Sequence, residues 1–363
     1  MAHREGITTE TKDWTMIQAS DLVQNQQVIQ INGNVSVEEA CQILVDNNIS
    51  SAPVYVEGEK GHYIGMFDYG DVIAYILLVL HRKPGQKDSS DSIDLDSLEI
   101  KDIVRRALEG QKVPVRMASD LSRKNPFYSI LQEATLLSAV EIFACGTHRV
   151  SILKPDGEIG GILSQSTVVR YLYENRKQFP ALDEVMNKTV SFVMHPVGIR
   201  QLNLGDEPVV GIDADASVLD ALSLMSSKGV SSIAVLRSDK YVLGNISMTD
   251  VKHVMKANSH RMLWKTCFQF VSHIRTQQGI TDGQDRLPVF DVHQGTSLGF
   301  TIAKLLATKA HRVWVTNEAH QATGIVSLTD VTRIFASLVG IEVQERRASM
   351  AVFRLLSALS WDE

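Results

Sequence analysis

Apolar residues along this chain alternate between two rhythms. Short continuous apolar runs, bounded by Gly, Ser or charged residues, have the length of buried strands. Between them apolar residues return at every third or fourth position, which is the spacing of one helix face. The cadence occurs four times. A glycine, a short apolar strand, small polar residues and a polar helix start read GMFDYGD at 65–71, GILSQST at 161–167, GNISMTD at 244–250 and GIVSLTD at 324–330. A second strand precedes each, opening on a polar pair: SSAPVY at 50–55, HRVSIL at 148–153, SSIAVL at 231–236 and HRVWVT at 311–316. The two phrases keep a fixed distance. A separation of 19 residues holds from His148 to Thr167, from Ser231 to Asp250 and from His311 to Asp330; from Ser50 to Asp71 it is 21, a small loop insertion at 57–62.

Upstream of each strand pair lies an amphipathic helix with a hydroxyl at its start. Ser36, Thr135, Ser217 and Thr296 are placed to accept from the unpaired amides of the first turn. Ser36 followed by Glu39 has the form of a capping box. Each copy therefore reads strand–helix–strand–strand–helix. A unit of about 60 residues buries little surface alone and is expected to pair with a neighbour. The expected organisation is an N-terminal tail over 1–20, repeats over 21–82, 121–177, 205–257 and 283–341, linkers over 83–120, 178–204 and 258–282, and a C-terminal helix over 342–363. The linker after residue 177 is expected to carry short helices around Leu182 to Met186, and the run near Ser89 to Ser97 reads as a solvated loop.

Composition narrows the class. The apolar fraction is 44% and the charged fraction 21%, which is the range of globular chains. The apolar run from Val72 to Leu80 falls short of the roughly 20 residues that span a bilayer, and reads as a helix buried on nearly every side. Net charge is −6, from 36 Lys and Arg against 42 Asp and Glu, so neither a nucleic acid nor a membrane surface is an expected partner. Cys41, Cys145 and Cys267 are few and far apart, which fits neither a disulfide framework nor a zinc spacing. No apolar leader precedes Trp14, and the expected setting is intracellular. Glycine-rich phosphate loops, zinc-protease helices and nucleophile elbows are missing from the sequence, so enzyme activity is not expected. Cys145 lies near His148, but late in an apolar helix, where core packing explains it better than catalysis. Arg346, Arg347 and Ser349 have the form of a basophilic kinase site, and Met350, Phe353, Leu356 and Leu359 follow a helical rhythm.

The four phrases together resemble the CBS domain, named from cystathionine β-synthase. Four copies resemble two Bateman modules, the architecture of the γ subunit of AMP-activated protein kinase. In that subunit His-Arg strands occur in the second and fourth copies, as with His148-Arg149 and His311-Arg312 here. Its second copy also lacks the ribose-binding Asp, and here Thr167 stands at that position. The segments NPFYS at 125–129, GILSQS at 161–166 and GNIS at 244–247 are similar to the fungal Sds/Moc proteins. The fold implied is α/β, with four CBS domains paired into two Bateman modules that form a disc.

The resemblance implies a regulatory adenine-nucleotide site (AMP, ADP or ATP) and no required cofactor. A carboxylate at Asp250 or Asp330 can accept from two ribose hydroxyls. Ser247, Thr249, Ser327 and Thr329 can donate to phosphate at a helix start. The alternative is that both acids only cap their helices. His148, Arg149, His311 and Arg312 would hold phosphates at the centre of the disc, or else be ordinary surface strand residues. Asp71, Ser164 and Ser166 are weaker candidates, because Asp68 adds a second carboxylate beside Asp71 and Thr167 is no carboxylate at all. Resemblance to the Sds/Moc proteins implies a cytoplasmic and nuclear regulator of nutrient stress and the cell cycle that inhibits type 2A phosphatase. The alternatives are a γ-type kinase subunit, with kinase subunits as partners, or a ligand-free scaffold.

Overall fold

The computed structural model describes residues 13–58, 61–81, 98–194, 209–255, 259–282 and 291–341. The C-terminal helix, the kinase-site motif at Ser349 and the run at Ser89 to Ser97 lie outside them.

Repeat 1 comprises β1 (Ile31–Asn32), α1 (Val37–Asp46), β2 (Ser51–Tyr55), β3 (Tyr63–Asp68) and α2 (Tyr69–His81). A connector with α3 (Leu98–Leu108) and α4 (Val115–Ala118) leads to repeat 2, built from β4 (Ser129–Leu131), α5 (Leu136–Ala144), β5 (Arg149–Leu153), β6 (Ile159–Ser164) and α6 (Gln165–Glu174). The short helices expected near Leu182 are α7 (Pro180–Met186) and α8 (Val190–Met194). Repeat 3 follows with β7 (Gly211–Asp213), α9 (Val218–Ser227), β8 (Ser232–Leu236), β9 (Val242–Ser247) and α10 (Val251–Met255), and then α11 (Cys267–Asp282). Repeat 4 has β10 (Asp291–His293), α12 (Leu298–Thr308), β11 (Arg312–Thr316), β12 (Ala322–Ser327) and α13 (Leu328–Leu338).

Each repeat forms its own three-stranded sheet. The first two strands run parallel, which requires the crossover helix between them, and the third returns antiparallel through a hairpin. A register shift falls at the same place in every hairpin, between Val54 and Tyr55, Ile152 and Leu153, Val235 and Leu236, and Val315 and Thr316. Four copies of one irregularity mark one ancestral unit more firmly than its regular strands do.

The helix starts follow local chemistry. Ser36 accepts from the Glu39 amide while Glu39 reaches back to the Ser36 amide, and Ser217 with Asp220 repeats this box. Thr135 accepts from Ser138 N. In repeat 4 the cap is Ser297 and not Thr296: α12 begins at Leu298, so the amide offered three residues on, that of Phe300, meets Ser297 Oγ at 3.2 Å. The first amide of each of these helices donates to a carbonyl of a neighbouring segment, from Val37 to Val113, Leu136 to Ile17, Val218 to Lys265 and Leu298 to Lys188. A donor that the helix leaves unsatisfied thus ties down one connecting segment per repeat. Trp14 and Ala19, placed in the tail by sequence, and Val23, placed at the start of repeat 1, are buried against repeat 2.

The core is divided in an unexpected way. One cluster joins α1 and α2 of repeat 1 to α9 and α10 of repeat 3, and the other joins α5 and α6 of repeat 2 to α12 and α13 of repeat 4. Repeats adjacent in sequence meet instead through their sheets. Tyr63 of repeat 1 stacks on Phe127, 5.3 Å between centroids, and Tyr241 of repeat 3 bridges Gln321 of repeat 4. Val242 of repeat 3 packs with Trp314 of repeat 4. Sheet contacts within each module and helix contacts between modules close the four repeats into a ring. The apolar α2 is buried along Val72, Ile73, Ala74 and Leu78 as expected, although Leu80 is partly exposed.

Candidate functional site

The polar pairs of the sequence straddle the start of the second strand in each repeat. His148 precedes β5 and His311 precedes β11, while Arg149 and Arg312 are the first residues of those strands. This places two imidazoles and two guanidinium groups from repeats 2 and 4 close enough to act on one another. Burial pushes His148 down to about 3, reinforced by the charges of Arg149, His311, Arg312 and Lys124. His311, open toward the cavity described below, is pushed down to about 4 by loss of water and by Arg149 and Arg312. Burial also lowers Arg149, while the Asp68 carboxylate acts in the opposite sense.

The two arginines are held in the same way. Arg149 Nη2 donates to Ser50 Oγ of repeat 1 at 2.6 Å. Arg312 donates to Ser231 Oγ and, at 3.3 Å, to the Ser232 carbonyl of repeat 3. The serine pair of the odd repeat therefore anchors the guanidinium of the even repeat, a role that the sequence reading did not assign to Ser50 or Ser231. Lys124, a further cation near His148, donates to the Met225 carbonyl at 3.3 Å and was also missed.

The four helix starts differ. In repeat 4, Asp330 Oδ2 accepts from Ser327 N at 2.9 Å and Ser327 Oγ at 2.6 Å, and Asp330 Oδ1 lies 3.9 Å from Arg333. In repeat 3, Asp250 Oδ2 accepts from Ser247 N and Oγ, both at 2.7 Å, and burial raises its pKa. Capping is thus realised at both acids through one oxygen each. Asp250 closes a tight turn over Met248–Asp250, and α10 follows it. Thr249 Oγ1 lies 2.9 Å from Ser247 Oγ, and Thr329 Oγ1 accepts from Gln165 Nε2 of repeat 2 at 2.9 Å. Residues 195–208 and 283–290, which precede β7 and β10, lie outside the described residues.

In repeat 1 the chain satisfies its own acids. Asp68 and Asp71 are 3% and 2% exposed, too little for ordinary solvation. Asp71 Oδ1 accepts from Ser122 N at 2.8 Å, and Asp68 Oδ2 accepts from Asn125 Nδ2 at 2.5 Å. Asp68 Oδ1 takes the amides of Gly70 and Asp71. Burial and the Asp68 charge together raise Asp71 well above the carboxylate range. Beside this cleft, between Met66, Asn125, Tyr128 and Arg149, only about 10 Å³ remains, roughly the room of one water.

The matching cleft of repeat 2 is open. A cavity of about 290 Å³ lies between Gln26–Ile29, Ser50, His148, Arg149, Ser164, Ser166 and Thr167, with His311 and Leu328 reaching in from repeat 4. Ser164 caps α6, accepting from Thr167 N at 3.2 Å, and its hydroxyl meets those of Ser166 and Thr167 at 2.9 Å each.

A profile of the CBS domain matches residues 19–78 and 201–257, the first and third repeats. These two repeats are CBS domains. Repeats 2 and 4 carry the same strand order and the same register shift, so the four-domain count rests on geometry as well. The CBS chain is 37% identical over 321 residues to Protein SDS23 of Meyerozyma guilliermondii, covering 85% of this chain and 58% of that protein. It is 36% identical over 311 residues to Protein sds23 of Aspergillus niger, again covering 58% of the relative. The chain therefore spans less than two thirds of the length of the curated relatives it matches. Among solved structures, protein MJ1225 of Methanocaldococcus jannaschii, described as an archaeal homologue of γ-AMPK, superposes with a TM-score of 0.63 at 14% identity, over 88% of this chain and all of that one. That likeness is one of fold.

Proposed function

We propose that this CBS protein is a regulatory adenine-nucleotide sensor with two ribose-reading sites, at Asp250 and Asp330. One observation carries the reading: His148, Arg149, His311 and Arg312 converge from two repeats, and burial, reinforced by the neighbouring positive charges, suppresses protonation of both imidazoles. Cations gathered at such cost are relieved by an anion, and phosphate suits a guanidinium fork. At Asp250 and Asp330 the capping oxygen is spoken for, and the second oxygen remains the acceptor for ribose hydroxyls. The self-bonded acids of repeat 1 leave no room for a nucleotide. Binding would bias the helix contacts that join the two modules, and with them a partner surface.

Similarity to the SDS23 proteins supports a regulator of stress and cell-cycle signalling, cytoplasmic and nuclear, acting through inhibition of type 2A phosphatase. The test is calorimetry with AMP, ADP and ATP on the wild type and on Asp250→Asn and Asp330→Asn. Each substitution is expected to weaken one site by roughly 10-fold or more, the worth of a charge-assisted hydrogen bond. Unchanged binding in both variants, or no binding by the wild type, overturns the reading. A pulldown that retains kinase α and β subunits in place of phosphatase subunits would replace the partner assignment.

A further inference from the structure

Repeat 4 differs from its siblings at one polar corner. Its first strand begins with Asp291 and ends with His293, where repeat 3 has Gly211 and Asp213 and repeat 2 has Ser129 and Leu131. The residue paired with His293 is Thr316, where those repeats have Leu236 and Leu153. The hairpin that returns to β12 holds His320 at φ 55°, the left-handed turn position filled by Lys240 in repeat 3 and Gly157 in repeat 2. Asp291, His293 and His320 thus meet at one edge of the sheet, with both histidines exposed. The imidazole centroids of His293 and His320 are 6.4 Å apart. His320 Nδ1 lies 3.7 Å from Asp291 Oδ2. That is too long for a hydrogen bond. It is the separation of two ligands each about 2.1 Å from one ion, at an angle of roughly 120°.

We propose that Asp291, His293 and His320 form a site for one divalent ion of the zinc type, beside the junction of repeats 3 and 4. Among the described residues no three ligand-type side chains already converge on one point; in this cluster two are in place and the third needs a small rotation. An ion shared by both imidazoles would draw their centroids to about 5 Å, and exposed side chains change rotamer readily. The carboxylate is already fixed. Thr316 is buried and its Oγ1 donates to Asp291 Oδ2 at 2.9 Å, the part that an outer-shell partner plays at a metal. The neighbouring cations are turned aside. Lys304 donates to the main-chain oxygen of Asp291 and stands 3.9 Å from Oδ1, the other carboxylate oxygen. Arg237 stacks on Tyr241 at 4.8 Å and pairs with Asp239 at 2.6 Å. Tyr241 belongs to repeat 3 and its ring centroid is 5.8 Å from that of His320, while Val242 N donates to the His320 carbonyl at 3.3 Å. An ion here would clamp the repeat 4 hairpin to β10, and with it the contact between the two repeats. Two imidazoles and one carboxylate suit zinc better than magnesium, which prefers oxygen ligands alone. The inference does not depend on any nucleotide site.

The test is calorimetry on the full chain, first stripped with a chelator, with zinc chloride and magnesium chloride as the probes. The wild type is expected to bind one equivalent of Zn²⁺ at this site, at least roughly 100-fold more tightly than Mg²⁺. His293→Asn and His320→Gly should each weaken that equivalent by roughly 10-fold or more, since each removes one of three protein ligands. Both variants are compatible with the fold, because Asn32 pairs with the last residue of β2 as His293 pairs with Thr316, and Gly157 fills the turn position of His320. Their thermal midpoints without metal should therefore match the wild type, and added Zn²⁺ should raise the midpoint of the wild type alone. Absence of Zn²⁺ binding, Mg²⁺ binding of equal strength, or Zn²⁺ binding undiminished in either variant overturns the inference; the last result would assign the ion to other histidines or cysteines of the chain.

Discussion

His148 gives the sharpest test of how the basic cluster is held. Its native pKa of about 3 lies far below its ordinary 6.5. A base whose folded pKa is depressed contributes stability that is fully present above the unfolded value and is lost as pH falls toward the folded one. The window therefore runs from about pH 6.5 down to about 3, where the unfolded chain takes up a proton that the native site refuses. Each pH unit within it costs about 1.4 kcal/mol, so roughly 1.5 units, down to about pH 5, cost about 2 kcal/mol. His148 is half-buried, and screening by water reduces the expected loss to about 1 kcal/mol. The assay is urea denaturation of the wild type and His148→Gln at about pH 7.5 and about pH 5, since the variant keeps a polar side chain that does not titrate. Other groups titrate in both proteins and cancel in the difference. The wild type should lose about 1 kcal/mol more than the variant on acidification. Equal losses, or a larger loss in the variant, would show that the imidazole is solvated and that the converging charges do not act on it.

Two further outcomes follow from packing elsewhere in the fold. Gly161→Ala would place a Cβ 2.5 Å from Val23 Cγ2 and 2.8 Å from Val23 Cβ, so the 19–23 segment must move. Overpacking of this kind costs about 1–3 kcal/mol and should appear as a lowered thermal midpoint. Burial pushes the Cys41 and Cys267 thiols up to about 12, so both should resist a thiol-specific reagent at neutral pH until the chain is unfolded; rapid labelling of either in the native protein would contradict the packing described.

The repeat, its element order and most helix starts were legible because they depend on nearest neighbours in sequence. Ser36 with Glu39 and the strand-opening pairs are local patterns, and the structure realises them. The one-residue error at Thr296 arose because two adjacent hydroxyls offer the same cap, and only the position of Leu298 in the core selects Ser297. Long-range choices were not legible. Nothing local shows that Arg149 is anchored by Ser50, 99 residues away, or that Asn125 closes the repeat 1 cleft by bonding Asp68. Asp68 could be read as an unfavourable second charge, but Asn125, which satisfies its second oxygen, lies 57 residues away. The openness of the repeat 2 cleft was not legible either: Thr167 stands where an acid would mark it, and part of its lining is Gln26–Ile29, a segment without a motif.

The crossed cores carry a consequence for how the molecule is made. Repeats 1 and 2 touch through sheets, while the apolar faces of their helices are completed by repeats 3 and 4. A ribosome that has released only the first half of the chain has therefore released two half-finished interiors, each awaiting a counterpart still to be translated. The same architecture suits the halves to reassembly: separate polypeptides comprising repeats 1–2 and repeats 3–4 each present the template that the other lacks.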